Sequence, residues 1–169
     1  MTAWHKTPEY ALISAYYKDK YAERSGLPLM NHIREGIKLL IAWGRPDSEQ
    51  RAFALHPIIQ NGSMAFRSVA PSDSRPIAQE VIDFAEEYRD KANAYLCRPS
   101  TDHIIFPPDL IKVLGTMSEG VAWMLLADKV QNQKDFRIHH WFLHPRRYQL
   151  EWYFNLWIET LRSHYLGDI

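Results

Sequence analysis

The sequence predicts an all-α fold: one compact helical bundle of about six helices, a single domain over residues 1–169. Three observations predict it. Apolar residues recur at helical spacing in successive segments that end at glycine or proline. No segment alternates apolar and polar residues for long enough to make a half-buried strand. The stretch Val121-Ala122-Trp123-Met124-Leu125-Leu126-Ala127 is apolar nearly all round, as a central buried helix must be.

The elements follow in order. Residues 8–24 read as a first helix, with Pro8 in its first turn and Tyr10, Ile13, Tyr17 and Tyr21 at helical spacing. Ser25-Gly26 ends it, Gly26 serving as a left-handed cap. Residues 28–43 form the second helix, with Ile33, Ile37, Leu40 and Ile41 on one face, His32 beside that stripe and Gly44 as the stop. Pro46 and Asp47 open the third, with Asp47 or Ser48 as N-cap, and Leu55-His56-Pro57-Ile58-Ile59-Gln60 closes it. A residue before proline is biased away from α geometry, so His56 is expected at a helix end.

Residues 61–75 are rich in turn formers and read as a loop beside the site. Pro76 starts the fourth helix, with Ile77, Val81, Phe84, Ala85 and Tyr88 buried and Glu80, Asp83, Glu87 and Arg89-Asp90 solvated. Residues 98–108 contain three prolines and read as a second loop. The fifth helix covers residues 109–133, with a break near Gly115-Thr116 or Gly120. Residues 134–145 mix aromatic, basic and imidazole groups, and residues 146–165 form the last helix with Leu150, Tyr153, Trp157 and Leu161 inward.

Composition narrows the function classes. Hydrophobic residues make up 46% and charged residues 24%, ordinary values for a globular protein, while aromatics stand high at 13%. Twenty basic and 20 acidic side chains give zero net charge, so there is no strong nucleic-acid signal. The single cysteine, Cys97, excludes an intramolecular disulfide and fits a reducing compartment. The first residues lack a signal-peptide core and no apolar run is long enough to span a bilayer, so the expectation is a cytoplasmic protein without a membrane partner.

The chemistry-bearing residues are His32, His56 and Asp128. An aspartate at the end of an apolar run costs several kcal/mol to bury unpaired, so it must meet a cation, an arginine or hydrogen-bond donors. Imidazoles and carboxylates are the groups that hold a divalent cation for hydrolysis. A lone histidine near an apolar stripe is otherwise a hydrogen-bonded core residue. Lys129, Lys134, Arg137, Arg146 and Arg147 concentrate positive charge after Asp128 and suit phosphate, or else pair with Asp135, Glu151 and the acidic face of the fourth helix. Tyr88, Arg89 and Asn93 share one face of that helix and are further pocket candidates. His139, His140 and His144 read as a surface or interface cluster, and the tryptophans as core or interface aromatics.

The order His32, His56, Asp128 resembles the H…HD…D site of the HD superfamily of metal-dependent phosphohydrolases. The string Ala127-Asp128-Lys129-Val130-Gln131-Asn132 is similar to the Ala-Asp-Lys/Arg-Leu-x-Asn signature of its alarmone hydrolases. The resemblance covers residues 32–132 and extends to small, including phage-encoded, members acting on nucleotide pools. It implies a helical HD-type bundle in which His32, His56 and Asp128 bind a divalent metal (Mn, Fe, Ni, Zn or Mg). Asn132, Lys129, Arg89, Arg137 and Arg146 would then bind a nucleotide or other phosphorylated small molecule.

The chain departs from that pattern twice. Pro57 stands where the family has its ligating aspartate. Gln60 stands where the 5′-deoxynucleotidase branch has an acidic residue that assists the attacking water, leaving Gln60 to orient water or ligand. Glu86, Glu87, Asp102 and His103 are the candidates to complete the site. Three function classes therefore stand open: a nucleotide phosphohydrolase, an inactive HD fold that binds a nucleotide or protein, and an interaction protein. The last would act as a homo-oligomer or with a protein partner through the aromatic and basic segment 136–157.

Overall fold

Thr7 caps the first helix with its hydroxyl, which accepts from the Tyr10 N–H, and Pro8 occupies the first position, where no donor is needed. The computed structural model describes residues 4–23, 25–62, 77–96 and 106–167. Among these residues seven α-helices follow in order: α1 (Pro8–Tyr16), α2 (Met30–Ala42), α3 (Asp47–Gln60), α4 (Gln79–Ala94), α5 (Pro107–Leu114), α6 (Glu119–His139) and α7 (Arg147–Thr160). A π-helical turn, Leu161–Tyr165, continues α7. Among the described residues there is no strand, only one bridge between Tyr21 and Pro28. The all-α expectation holds, with seven α-helices among the described residues where about six were expected.

The central helix is α6, against which α2, α3, α4 and α7 all pack. Val121, Ala122, Met124, Leu125, Leu126 and Ala127 are buried on every side of it. Its start is pinned by polar contacts from two neighbours. Glu87 of α4 accepts from both the N–H and the hydroxyl of Ser118, each at 2.7 Å. Glu49 of α3 accepts a bidentate pair from Arg45 and lies where any Cβ at Gly120 would touch it, at 3.0 Å. Glu9, fully buried, is held by Arg51 in the same fork geometry and ties α1 to α3.

Several boundaries differ from the sequence expectation. The first helix stops at Tyr16, not near residue 24, because Asp19 takes a left-handed φ of 54° and the chain turns back to pair Tyr21 with Pro28. Tyr21 is thereby 59% exposed and leaves the stripe, and Gly26 (φ 67°) serves the returning turn instead of a helix cap. Pro46, not Asp47 or Ser48, is the N-cap of α3. That helix runs straight through Pro57 to Gln60, so His56 lies inside a helix and not at its end. The long fifth helix is two: Gly115 (φ 60°) breaks it, α6 starts after Ser118, and Gly120 remains helical. Helix α6 then continues past residue 133 to His139. Pro76, the loop over residues 63–75, and Asp102 and His103 of the second loop lie outside the described residues.

Candidate metal centre

His32 enters from the first turn of α2, His56 from the third turn of α3, and Asp128 from the middle of α6. One ligand atom from each lies within 4.8 Å of the other two. Among the described residues this is the only group of histidine, cysteine or carboxylate side chains so arranged. Phe53 sets the spacing: its ring centroid lies 4.7 Å from that of His56 and 5.6 Å from that of His32. Gly36 leaves room for that ring, which stands where a side chain on α2 would otherwise be.

The hydrogen bonds fix which nitrogen each imidazole offers. His56 Nδ1 lies 2.6 Å from the carbonyl oxygen of Phe53. A carbonyl only accepts, so Nδ1 carries the proton and Nε2 carries the lone pair. His32 Nδ1 lies 2.6 Å from Gln131 Oε1. The Gln131 amide cannot be reversed, because its Nε2 donates to Asp135 at 2.6 Å and to Glu35 at 3.2 Å. His32 therefore also keeps its proton on Nδ1 and turns Nε2 toward Asp128, 3.4 Å from Oδ1. Metal-bound histidines are held in this way, with the far nitrogen donating to a fixed acceptor.

Burial, helped by the nearby Lys129 ammonium, pushes the His56 pKa down to about 3, so its imidazole is neutral at physiological pH. Burial acts the other way on Asp128 and would raise its pKa. The adjacent Lys129 ammonium and the two imidazoles outweigh it and hold the carboxyl at about 2, ionised. Lys129 Nζ donates to Asp128 Oδ2 at 2.9 Å and Asn132 Nδ2 donates to Oδ1 at 2.9 Å. The buried Tyr88 hydroxyl adjoins the same carboxylate; burial first and the Asp128 charge second keep this phenol protonated. Lys129 is itself buried, with its ammonium 4.9 Å from the Trp157 ring and 5.6 Å from that of Tyr153.

With both rings neutral, two imidazole nitrogens and one carboxylate oxygen thus come together, the carboxylate also accepting from Lys129 and Asn132. Such a set of acceptors is satisfied by a cation, and N,N,O donors are what Zn²⁺, Mn²⁺ and Fe²⁺ take. The residues present fit a divalent metal.

The cluster lies in the wall of a cavity of about 540 Å³. Gln60, Lys129 and Asn132 line it as well, but Lys129 and Asn132 spend their donors on Asp128, and Gln60 donates to Asn93 at 3.2 Å. Arg89, Arg137 and Arg146 do not line it. Arg89 pairs with Asp90, Arg137 with Glu151, and Arg146 buries one guanidinium nitrogen without a hydrogen bond in the turn before α7. Of the groups named to complete the site, Glu86 is exposed on α4 and Glu87 is taken up by Ser118.

Sequence reading missed Gln131, whose signal was its position three residues after Asp128, on the face that Asp128 presents. It also missed Tyr17 and Asp135 in the cavity wall, and it set His140 and His144 apart. Both histidines are half-buried and line the same cavity, because α6 continues to His139 and the chain then turns back over it. No described helix is long and apolar enough to cross a membrane. Comparison of the chain with protein-family models, with curated proteins and with solved structures gives no match.

Proposed function

We propose that the chain is a metal-dependent phosphohydrolase of the HD type, acting on a phosphate ester or anhydride of a nucleotide. The observation that carries this reading is that His32, His56 and Asp128 each bring one ligand atom within 4.8 Å of the other two in a cavity wall, each imidazole hydrogen-bonded through Nδ1 to an oxygen. His32, His56 and Asp128 would hold the divalent cation. When bound, the cation supplies Lewis acidity toward a phosphoryl oxygen and lowers the pKa of a water molecule. Three protein ligands suit that task, since catalytic sites keep positions open where structural sites are closed. In this reading Pro57 removes a fourth ligand and leaves a three-ligand centre.

The chain's own residues have separable roles. Gln131 and the Phe53 carbonyl orient the two imidazoles, and Lys129, Asn132 and Tyr88 keep the carboxylate ionised and aimed. Tyr17 lines the rest of the wall and offers its hydroxyl to a ligand's oxygens.

One observation favours a second reading, in which the site binds a nucleotide without cleaving it. Asp128 is the one carboxylate of the cluster, and Gln60 cannot take a proton at neutral pH. Metal content of the purified protein, followed by a nucleotide panel with and without chelator, decides between the two. Near-stoichiometric metal that is lost in Asp128→Asn, with chelator-sensitive phosphate release, supports the hydrolase. Ligand-dependent thermal stabilisation without product supports the binding reading. Neither metal nor ligand binding sinks both.

A further inference from the structure

Pro57 lies in the interior of α3, buried, one position after a metal-ligand candidate. An interior proline is costly, because it has no N–H for the carbonyl four residues back and its ring pushes against that carbonyl. Here that carbonyl belongs to Phe53, whose residue is fully buried and out of reach of water. It is not left unsatisfied: the Nδ1–H of His56 donates to it at 2.6 Å. Side chains on a helix lean toward its N-terminus, so the His56 ring lies naturally over this carbonyl.

We propose that Pro57 is a positioning residue for His56, withholding a backbone N–H from the Phe53 carbonyl and so reserving that oxygen for Nδ1–H. The consequence is chemical. An imidazole that donates through Nδ1 presents an unprotonated Nε2, the form a divalent cation binds. With any other residue at position 57, a helical N–H would compete for the same oxygen and the ring would be free to carry its proton on Nε2. Pro57 is therefore more than the absence of a carboxylate. It exchanges one ligand for a stricter hold on another.

This inference rests on the metal-centre reading but is tested apart from it. In full-length, metal-free protein labelled with ¹⁵N-histidine, long-range ¹H–¹⁵N spectra read the tautomer of His56 directly. The wild type should show Nδ1–H. Pro57→Ala should show a mixture with Nε2–H, with affinity for Zn²⁺ or Mn²⁺ reduced roughly tenfold or more, as for other losses of a ligand's orienting partner. Its melting temperature should hold or rise, since alanine suits a helix interior better than proline. A purely structural role for Pro57 would lower the melting temperature and leave the tautomer alone.

A second variant isolates the missing N–H from the ring. An α-hydroxy acid (lactic acid) at position 57 places an ester oxygen where the N–H would be, and should return both the tautomer and the affinity to wild-type values. A wild-type His56 protonated at Nε2 would overturn the proposal. So would a Pro57→Ala protein with unchanged tautomer and affinity, or an ester variant that behaves like alanine. If the wild type binds no metal, the hydrolase reading fails and the tautomer arm alone decides this one.

Discussion

Replacing Gly36 with alanine should destabilise the fold, against the usual rule for a glycine inside a helix. Gly36 is buried in the middle of α2, and a Cβ there would stand 2.2 Å from both Cε1 and Cζ of Phe53. Carbon atoms in contact sit about 3.5–4.0 Å apart, so the overlap exceeds roughly 1.3 Å. Phe53 has no exposed surface and no space to retreat into, since both imidazoles flank its ring. Overpacking of this kind costs roughly 1–3 kcal/mol, and the size of the overlap places it in the upper half of that range. The helix-propensity gain from glycine to alanine returns about 1 kcal/mol. The net expectation is a loss of about 1–2 kcal/mol, read by urea unfolding of Gly36→Ala beside the wild type. Adding Phe53→Leu should relieve the clash, so that the double variant is more stable than the sum of the single changes by about 1 kcal/mol or more. A Gly36→Ala protein more stable than wild type by the full propensity gain would refute the packing of α2 on α3 that sets the site.

Three further outcomes follow from the site. The pKa of His56 is depressed on folding, so the unfolded chain binds its proton first. Stability is complete above about pH 6.5 and falls by roughly 1.4 kcal/mol per pH unit below it, toward the folded value of about 3. Urea midpoints of chelator-treated protein between pH 7 and 5 should show that slope, and His56→Asn should flatten it. Asp128→Asn leaves the Lys129 ammonium buried without its counter-charge and should cost about 3–5 kcal/mol, most of it recovered in Asp128→Asn with Lys129→Met, as chemical denaturation would show. Gln131→Leu frees the His32 ring and should weaken metal binding roughly 10–100-fold by calorimetry while the protein still unfolds cooperatively.

What could be read in advance was what local pattern controls. The stripes Ile33, Ile37 and Leu40 on α2 and Val81, Ala85 and Tyr88 on α4 are buried as their spacing requires, and the all-apolar run before Asp128 is the centre of the molecule. His32, His56 and Asp128 come together although 24 and 72 residues separate them in turn, an arrangement implied by the resemblance of their order to the HD site. Tertiary competition decided the rest. The backbone bias against helix before proline lost at His56, where the buried helix continues to Gln60, and a side-chain donor there satisfies the carbonyl that proline leaves behind. The helical spacing of Tyr17 and Tyr21 lost to a turn that returns the chain to Pro28. The basic residues after Asp128 stood either to serve phosphate or to pair with Asp135 and Glu151, and the pairing holds for Arg137, which meets Glu151 on the next helix, and for Lys134, which meets Asp135.

The lysine next to Asp128 has a consequence for how a cation would be acquired at this cluster. Small zinc domains stay unfolded until the ion arrives, because their clustered ligands repel or stay unsatisfied without it. Here a covalently attached ammonium, seated between two aromatic rings, already balances the carboxylate. An ion held at this cluster would thus not be needed for the chain to reach its final shape, and its removal would leave the fold standing. Occupancy would then be a matter of supply, set by whichever first-row metal is free at sufficient concentration, and the same polypeptide could load and unload repeatedly.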